Sequence, residues 1–107
     1  MKSHPTYTDL FITEDGKCIR NGKVLKQTII KGYYHVTVRF TDKRKCLSVA
    51  RLVCETYHSK PDIHPVIVET LQVNHIDLDK LNNGINNLEW VTPSQNIRHR
   101  HGNRYRV

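Results

Sequence analysis

The segment from Tyr34 to Thr41 limits the possible folds most strongly, because apolar and polar side chains alternate along it. The apolar positions are Tyr34, Val36, Val38 and Phe40, and the polar positions are His35, Thr37 and Arg39. A period of two residues with one apolar face is typical of a half-buried β-strand. The opposite face, which is cationic and hydrogen-bonding, would suit contact with a nucleic acid and is equally typical of a sheet face in water.

The rest of residues 10–47 is also predicted to form antiparallel β-structure. Asn21-Gly22 lies between two short strand candidates and is a strong hairpin signal, because both residues tolerate a positive φ. Val24 to Ile30 is predicted as one further strand, which Lys31-Gly32 ends. The N-terminal half is therefore expected to be an antiparallel β-sheet.

A helix is predicted over residues 48–58, where the hydrophobic period changes from two to about 3.6 residues. The stripe at helical spacing consists of Val49, Leu52, Val53, Thr56 and Tyr57. Ser48 is a suitable N-cap, and the segment from His58 to Pro61 ends the helix. The apolar stripe is expected to pack on the sheet.

Residues 71–101 are predicted to form a strand, a second strand and a helix. Leu71–His75 and Leu88–Val91 are the strand candidates, and a loop rich in Asp and Asn joins them. Thr92–Gln95 matches a capping box with proline at the first helical position, so a helix is expected to begin there and run to about His101.

The predicted fold class is thus α+β, with an N-terminal antiparallel β-sheet, one packed helix and a C-terminal ββα unit. A chain of 107 residues has the length of one typical domain. We expect a single domain over residues 1–107, in which residues 102–107 form a short basic tail.

Two classes of protein are not expected from this composition. The longest apolar runs have three or four residues, whereas a membrane-spanning helix needs about 20. The N-terminus lacks the apolar stretch of a secretory signal. The sequence therefore predicts a cytoplasmic protein with no membrane partner.

The three cysteines, Cys18, Cys46 and Cys54, cannot all pair with one another and show no C-x-x-C spacing. We therefore expect three reduced thiols and no structural zinc site. Cys54, and with it Cys46, is expected to belong to the core.

The charges are distributed unevenly within a formal net charge of +7. Residues 1–51 hold eleven Lys and Arg against four Asp and Glu, and residues 91–107 hold four Arg and no acid. Residues 52–90 instead hold six acids against two lysines. Basic segments on both sides of an acidic one suit a polyanion with a metal ion held against it.

Three polar side chains of the predicted ββα unit could converge on one point. Asn74 and His75 end its first strand, and Asn96 lies in the first turns of its helix. Two amide oxygens suit Mg²⁺ or Mn²⁺, and an imidazole beside such an ion could deprotonate a water molecule. With a phosphodiester as substrate, this set would perform metal-assisted hydrolysis. Taken singly, each of these residues is more typical of a turn or an exposed surface.

The sequence around these residues resembles the HNH (ββα-metal) endonucleases, in particular the homing type of bacteriophages. The motif consists of Asn74-His75-Ile76-Asp77, Asn82-Asn83, Asn87-Leu88-Glu89-Trp90-Val91-Thr92 and Asn96. The likeness extends upstream through Phe11–Cys18, Gly22–Lys26 and Val49–Val53, so that residues 10–99 are covered. Homing enzymes of this type normally continue into DNA-recognition modules, which we do not expect in this chain.

The resemblance implies a role for each matching residue. His75 would be the general base, Asn74 and Asn96 would bind one divalent metal ion, and Asn87 would bond across the ββ loop and hold His75 in position. His99, one helical turn beyond Asn96, could take its place. Leu88 and Trp90 would form the core under the site. The predicted contacts to double-stranded DNA are His35, Arg39, Lys43, Arg44, Lys45, Arg51, Arg98 and Arg100.

The predicted function is that of a Mg²⁺- or Mn²⁺-dependent DNA endonuclease that nicks with low intrinsic sequence specificity. A second subunit or a partner protein could supply further specificity. An alternative is a DNA-binding module on the same scaffold without catalysis, because position 74 is often Asp in these enzymes and is Asn here. A second alternative is a small basic structural or packaging protein of a phage, which would leave the motif spacing unexplained.

Overall fold

The computed structural model describes residues 1–60 and 70–95. Within these ranges the chain forms antiparallel sheets around one α-helix, and the predicted α+β class is confirmed. The elements are β1 Lys2–Ser3, β2 Leu10–Ile12, β3 Cys18–Arg20, β4 Lys23–Val24, β5 Thr28–Ile30, β6 Tyr33–Arg39, β7 Arg44–Ser48, α1 Val49–Tyr57, β8 Gln72–His75, the 3₁₀ turn Ile85–Asn87 and β9 Leu88–Val91.

The first sheet has the order β1-β2-β3-β4. The predicted hairpin joins β3 to β4, with Asn21 at φ 53° and Gly22 at φ 75° between the paired residues Arg20 and Lys23. Strand β1 was not predicted, because two residues carry no periodic signal. It is anchored by the buried His4, whose Nε2 lies 2.9 Å from Glu55 Oε1 of α1.

The second sheet has the order β5-β6-β7. Strand β6 confirms the predicted alternation, since Val36 and Val38 are each 1% exposed and Thr37 is exposed. The predicted continuous strand from Val24 to Ile30 is wrong. Its ends lie in different sheets, since Val24 pairs with β3 and Thr28 pairs with β6. Between these ends, the Leu25 N–H donates to Cys18 O at 2.8 Å and the Gln27 side chain donates to Gly16 O at 2.7 Å, so residues 25–27 stay bound to the first sheet. The N-terminal half therefore holds two sheets instead of one.

The helix α1 connects all parts of the described fold. Ser48 caps it as predicted, with its hydroxyl accepting from Arg51 N at 3.4 Å. Its buried side chains are those of Val49, Ala50, Leu52, Val53, Cys54 and Thr56. Because α1 contacts strands of both N-terminal sheets and of the β8–β9 hairpin, it fixes the hairpin against the rest of the core. No helix of the described residues is long and apolar enough to cross a membrane.

The cysteines differ from their expected positions in one case. Cys46 is exposed, whereas Cys18 and Cys54 are buried, and all three are free thiols. Cys46 lies on strand β7, where its side chain points away from the core. Burial raises the pKa of the Cys18 thiol to about 11 and that of the Cys54 thiol to about 12, so both stay protonated at neutral pH and act as apolar packing groups.

Candidate active site

The candidate site lies at the end of β8, in the hairpin that this strand forms with β9. The strands pair antiparallel, with Asn74 opposite Glu89 and His75 opposite Leu88. Asn74 is 3% exposed and His75 is 6% exposed, which is unusual for polar residues and requires hydrogen-bond partners. Leu88, 3% exposed, belongs to the core beneath them.

Asn74 is oriented by the carboxylate opposite it. Its Nδ2 donates to Glu89 Oε2 at 2.8 Å. A carboxylate only accepts, so the amide NH₂ must face Glu89, and the amide oxygen is directed elsewhere. An amide oxygen is a hard ligand of the kind that Mg²⁺ and Mn²⁺ prefer, so Asn74 fits the metal-binding role implied by the resemblance. The residues described contain no group of three or more His, Cys, Asp or Glu placed to hold a metal ion.

The His75 ring is held by Asn83, a residue that had no predicted role. His75 Nε2 lies 2.8 Å from Asn83 Oδ1, and Asn83 is 4% exposed. The Tyr33 ring of β6 lies beside the imidazole, with 6.0 Å between ring centroids and 40° between the planes. Lys80 Nζ lies 5.0 Å from the centroid of the same tyrosine ring. The ring of Tyr33 thus lies between two side chains of the β8–β9 hairpin and its loop, those of His75 and Lys80.

Asn87 bonds across the loop between β8 and β9. Its Oδ1 accepts from Asp77 N at 3.0 Å, and its Nδ2 donates to Asp77 Oδ1 at 2.8 Å and to Asn82 O at 2.9 Å. Its backbone oxygen accepts from Ile76 N at 2.8 Å. These bonds order the loop that follows His75. The direct side-chain contact to the imidazole is nevertheless made by Asn83.

Asp77 carries a negative charge two residues after His75. The Asn82 amide, the Asp79 N–H and the Asn87 amide donate to its carboxylate and hold its pKa below the usual range. The stability that these bonds contribute is present at neutral pH and is lost as the pH falls through the lowered pKa. The loop is therefore ordered with an ionised Asp77 near neutral pH.

The predicted capping box is present after β9. Thr92 N donates to Gln95 Oε1 at 3.0 Å, and Gln95 N donates to Thr92 Oγ1 at 3.2 Å. Residues 93–95 are helical. The predicted site residues Asn96, Arg98, His99 and Arg100 lie outside the described residues. Their roles stay predictions from the sequence.

The predicted DNA contacts of the β6–β7 hairpin are mostly exposed. This holds for Arg39, Lys43, Arg44 and Lys45. His35 is half-buried, and its Nδ1 donates to Tyr33 O at 3.1 Å. Arg51 lies on α1, where its Nε is 3.3 Å from Glu55 Oε2 and its guanidinium is 5.5 Å from the Trp90 ring centroid. Arg51 therefore already has an acidic and an aromatic neighbour.

Trp90 is only half-buried, so its predicted place in the core is partly right. It packs against the core cluster, and its Nε1 donates to His58 O at 2.9 Å. The residues of the site that had no predicted role are Asn83, Glu89 and Tyr33, which contact His75 or Asn74. Asn83 and Glu89 stood in the motif without an assigned role. The position of Tyr33 depends on how two sheets meet, and no local pattern signals it.

The comparisons with known proteins agree on one family. Residues 65–98 match a family model described as HNH endonuclease. A protein of Acanthamoeba polyphaga mimivirus, named uncharacterized HNH endonuclease L245, is 43% identical over 91 residues, which are 82% of this chain and 26% of that protein. DNA endonuclease I-HmuI of Bacillus phage SP01 is 38% identical over 84 residues, which are 74% of this chain and 42% of that enzyme.

The fold agrees with these sequence matches. A solved structure described as DNA binding and cleavage by the HNH homing endonuclease I-HmuI matches with a TM-score of 0.76 and 31% identity. The match covers 94% of this chain and 57% of that chain. The chain thus spans 26% and 42% of the two sequence relatives and little more than half of the solved structure. With the motif, the ββ hairpin and the overall topology in agreement, the chain belongs to the HNH endonuclease family.

Proposed function

We propose that this chain is a divalent-metal-dependent DNA endonuclease that hydrolyses phosphodiester bonds and nicks one strand. The observation that carries the proposal is the pair Asn74 and His75 at the end of β8. Both side chains are buried, and each is oriented by a hydrogen bond of 2.8 Å to a neighbour. Orientation of this kind is what a general base and a metal ligand need before the substrate arrives.

In this proposal His75 removes a proton from the attacking water molecule. The water oxygen forms a bond to phosphorus, the bond from phosphorus to the leaving sugar oxygen breaks, and the imidazole keeps the proton. Asn87 keeps the following loop ordered through its bonds to Asp77 and Asn82. The burial of His75 limits the number of waters that reach the ring.

The proposed metal ligands are Asn74 and Asn96, and the proposed ion is Mg²⁺ or Mn²⁺. A bound divalent ion would supply positive charge to the phosphate and to the leaving oxygen. The carboxylate of Glu89 supports the site by fixing the amide of Asn74. Because both proposed ligands are neutral, we expect the ion to bind weakly until a phosphate adds its own charge.

The proposed substrate is double-stranded DNA, and the solved structure of I-HmuI is described as showing DNA binding and cleavage. The exposed cations of the β6–β7 hairpin would contact phosphates, and phosphate contacts position a protein without reading sequence. Three further points stay predictions from the sequence and from the phage relative. They are low sequence specificity, a second subunit or partner protein that adds specificity, and action in the cytoplasm of a host cell.

Removal of the metal ion tests the proposed chemistry. Supercoiled plasmid incubated with the protein and Mg²⁺ or Mn²⁺ is expected to become open-circular, and EDTA is expected to abolish this conversion. Nicked and linear products separate on an agarose gel, which also distinguishes nicking from a double-strand break. Cleavage that continues unchanged in EDTA would contradict the metal-dependent mechanism.

The salt dependence of binding tests the proposed DNA contacts. If about six phosphates are contacted, the logarithm of affinity should fall with the logarithm of salt concentration with a slope of roughly −5. Lys45→Gln should make the slope about one unit shallower. Lys23→Gln is the matched control, since Lys23 is exposed on β4 and outside the proposed contacts. Fluorescence anisotropy measures the affinity of the wild type and of both variants at several salt concentrations. A slope near zero would rule out the β6–β7 hairpin as a phosphate-binding surface.

A second candidate is a DNA-binding module without catalysis, which the uncharged Asn74 favours. Such a module would shift the plasmid on a gel and leave it intact with every metal ion. It would also keep the salt dependence described above, because that depends on the β6–β7 hairpin and not on the site. The two candidates therefore differ in the plasmid assay alone.

A further inference from the structure

The side chain of Asn83 contacts one of the two ring nitrogens of His75. Its Oδ1 lies 2.8 Å from Nε2, and both residues are buried. With Nε2 in this contact, Nδ1 is the ring nitrogen that is left for a water molecule. A neutral imidazole accepts a proton at Nδ1 only when its own proton is on Nε2. An amide oxygen facing Nε2 favours this tautomer, whereas an amide NH₂ in the same place would favour the other one.

The backbone around Asn83 is fixed by the β2–β3 turn of the first sheet. Gly16 of this turn has φ +90° and is buried, and a Cβ built on it would lie 2.8 Å from Asn83 Cβ and 3.1 Å from Asn83 O. Real Cβ contacts are not that short, so only glycine allows the turn to come so close. The Ile85 N–H also donates to Glu14 O at 2.9 Å. The N-terminal sheet thus braces the loop that carries Asn83.

We propose that Asn83 is a positioning residue for His75. The Asn83 amide oxygen accepts a hydrogen bond from the Nε2–H of His75 and so keeps Nδ1 as the basic nitrogen, and the close contact with Gly16 holds Asn83 in place. This rests on the proposed function, in which His75 is the general base. Asn83 acts through His75 and needs no contact with the substrate or the metal ion. Its role is distinct from that of Asn87, whose side chain bonds to Asp77 and Asn82.

The test is the tautomer of His75, measured by long-range ¹H–¹⁵N NMR on protein with ¹⁵N-labelled histidine and no DNA or metal ion. The chain has seven histidines, and the signals that disappear in His75→Ala belong to His75. We expect neutral His75 to carry its proton on Nε2 in the wild type and to become a mixture of tautomers in Asn83→Ala. In the plasmid assay the same variant should cleave about 10- to 100-fold more slowly, a usual cost of losing a group that orients a functional histidine.

Three further variants separate positioning from general damage to the loop. Asn83→Asp keeps an oxygen acceptor and should retain the Nε2-protonated form. Asn86→Ala removes an exposed amide of the same loop and should leave the His75 signals unchanged. Gly16→Ala should disturb these signals, whereas Gly22→Ala should not, because Gly22 shares the positive φ but has no atom within 4 Å of the built Cβ.

Two results would overturn the proposal. One is a wild-type His75 with its proton on Nδ1, and the other is an Asn83→Ala variant with an unchanged tautomer and cleavage rate. The NMR spectrum is recorded without DNA and does not depend on cleavage. A wild type that does not cleave plasmid would therefore count against the proposed function, whereas the tautomer of His75 would still decide the role of Asn83.

Discussion

His75→Ala should reduce plasmid cleavage by at least about 10²- to 10⁴-fold, the contribution of a positioned general base. The affinity for DNA should stay near the wild-type value, because His75 is 6% exposed and offers little surface to the duplex. Cleavage is measured as the initial rate of open-circle formation with Mg²⁺ or Mn²⁺. Affinity is measured by fluorescence anisotropy on a short duplex, with the metal ion replaced by EDTA.

Two controls accompany this variant. Asn86→Ala changes an exposed residue of the same loop and is expected to cleave like the wild type. The second control is thermal unfolding, which checks that His75→Ala is folded at the assay temperature. This check is needed because the variant leaves the buried Asn83 amide without its partner, at a cost of about 1–3 kcal/mol. An equal loss of binding and cleavage in a folded His75→Ala would show that His75 serves binding and not proton transfer.

Leu52→Ala should destabilise the protein by about 2–5 kcal/mol, the range for truncating a buried leucine. Leu52 is 2% exposed and belongs to α1, which contacts strands of all the described sheets. The cavity would therefore lie where the sheets and the β8–β9 hairpin meet. At about 4–8 °C for each kcal/mol, the melting temperature should fall by about 8–40 °C. Circular dichroism during heating measures it.

Val24→Ala is the matched control for the core variant. Val24 is 63% exposed on β4, so its truncation should change the free energy of unfolding by less than about 0.5 kcal/mol. A Leu52→Ala variant as stable as Val24→Ala would mean that α1 does not bury its apolar face in solution. The assignment of α1 as the connection between the sheets and the hairpin would then be wrong.

Local signals in the sequence were sufficient for the elements whose conformation depends on near neighbours. The Asn21-Gly22 turn, the alternation along β6, the Ser48 cap and the capping box at Thr92 were all predicted and are present. Each reflects a backbone preference or a hydrogen bond between residues at most a few positions apart. The pairing of β8 with β9 follows from two apolar runs that flank a loop rich in turn-forming residues.

The sequence alone therefore determined the α+β class, the helix, the ββ hairpin and the motif that carries Asn74 and His75. The tertiary structure decided that the N-terminal strands divide into two sheets, because a period of two assigns a strand to a face and not to a particular sheet. It also decided which of several asparagines contacts the imidazole. That contact depends on the β2–β3 turn, where Gly16 meets Asn83 across more than sixty residues of chain, and separations of this kind leave no periodic trace in a sequence.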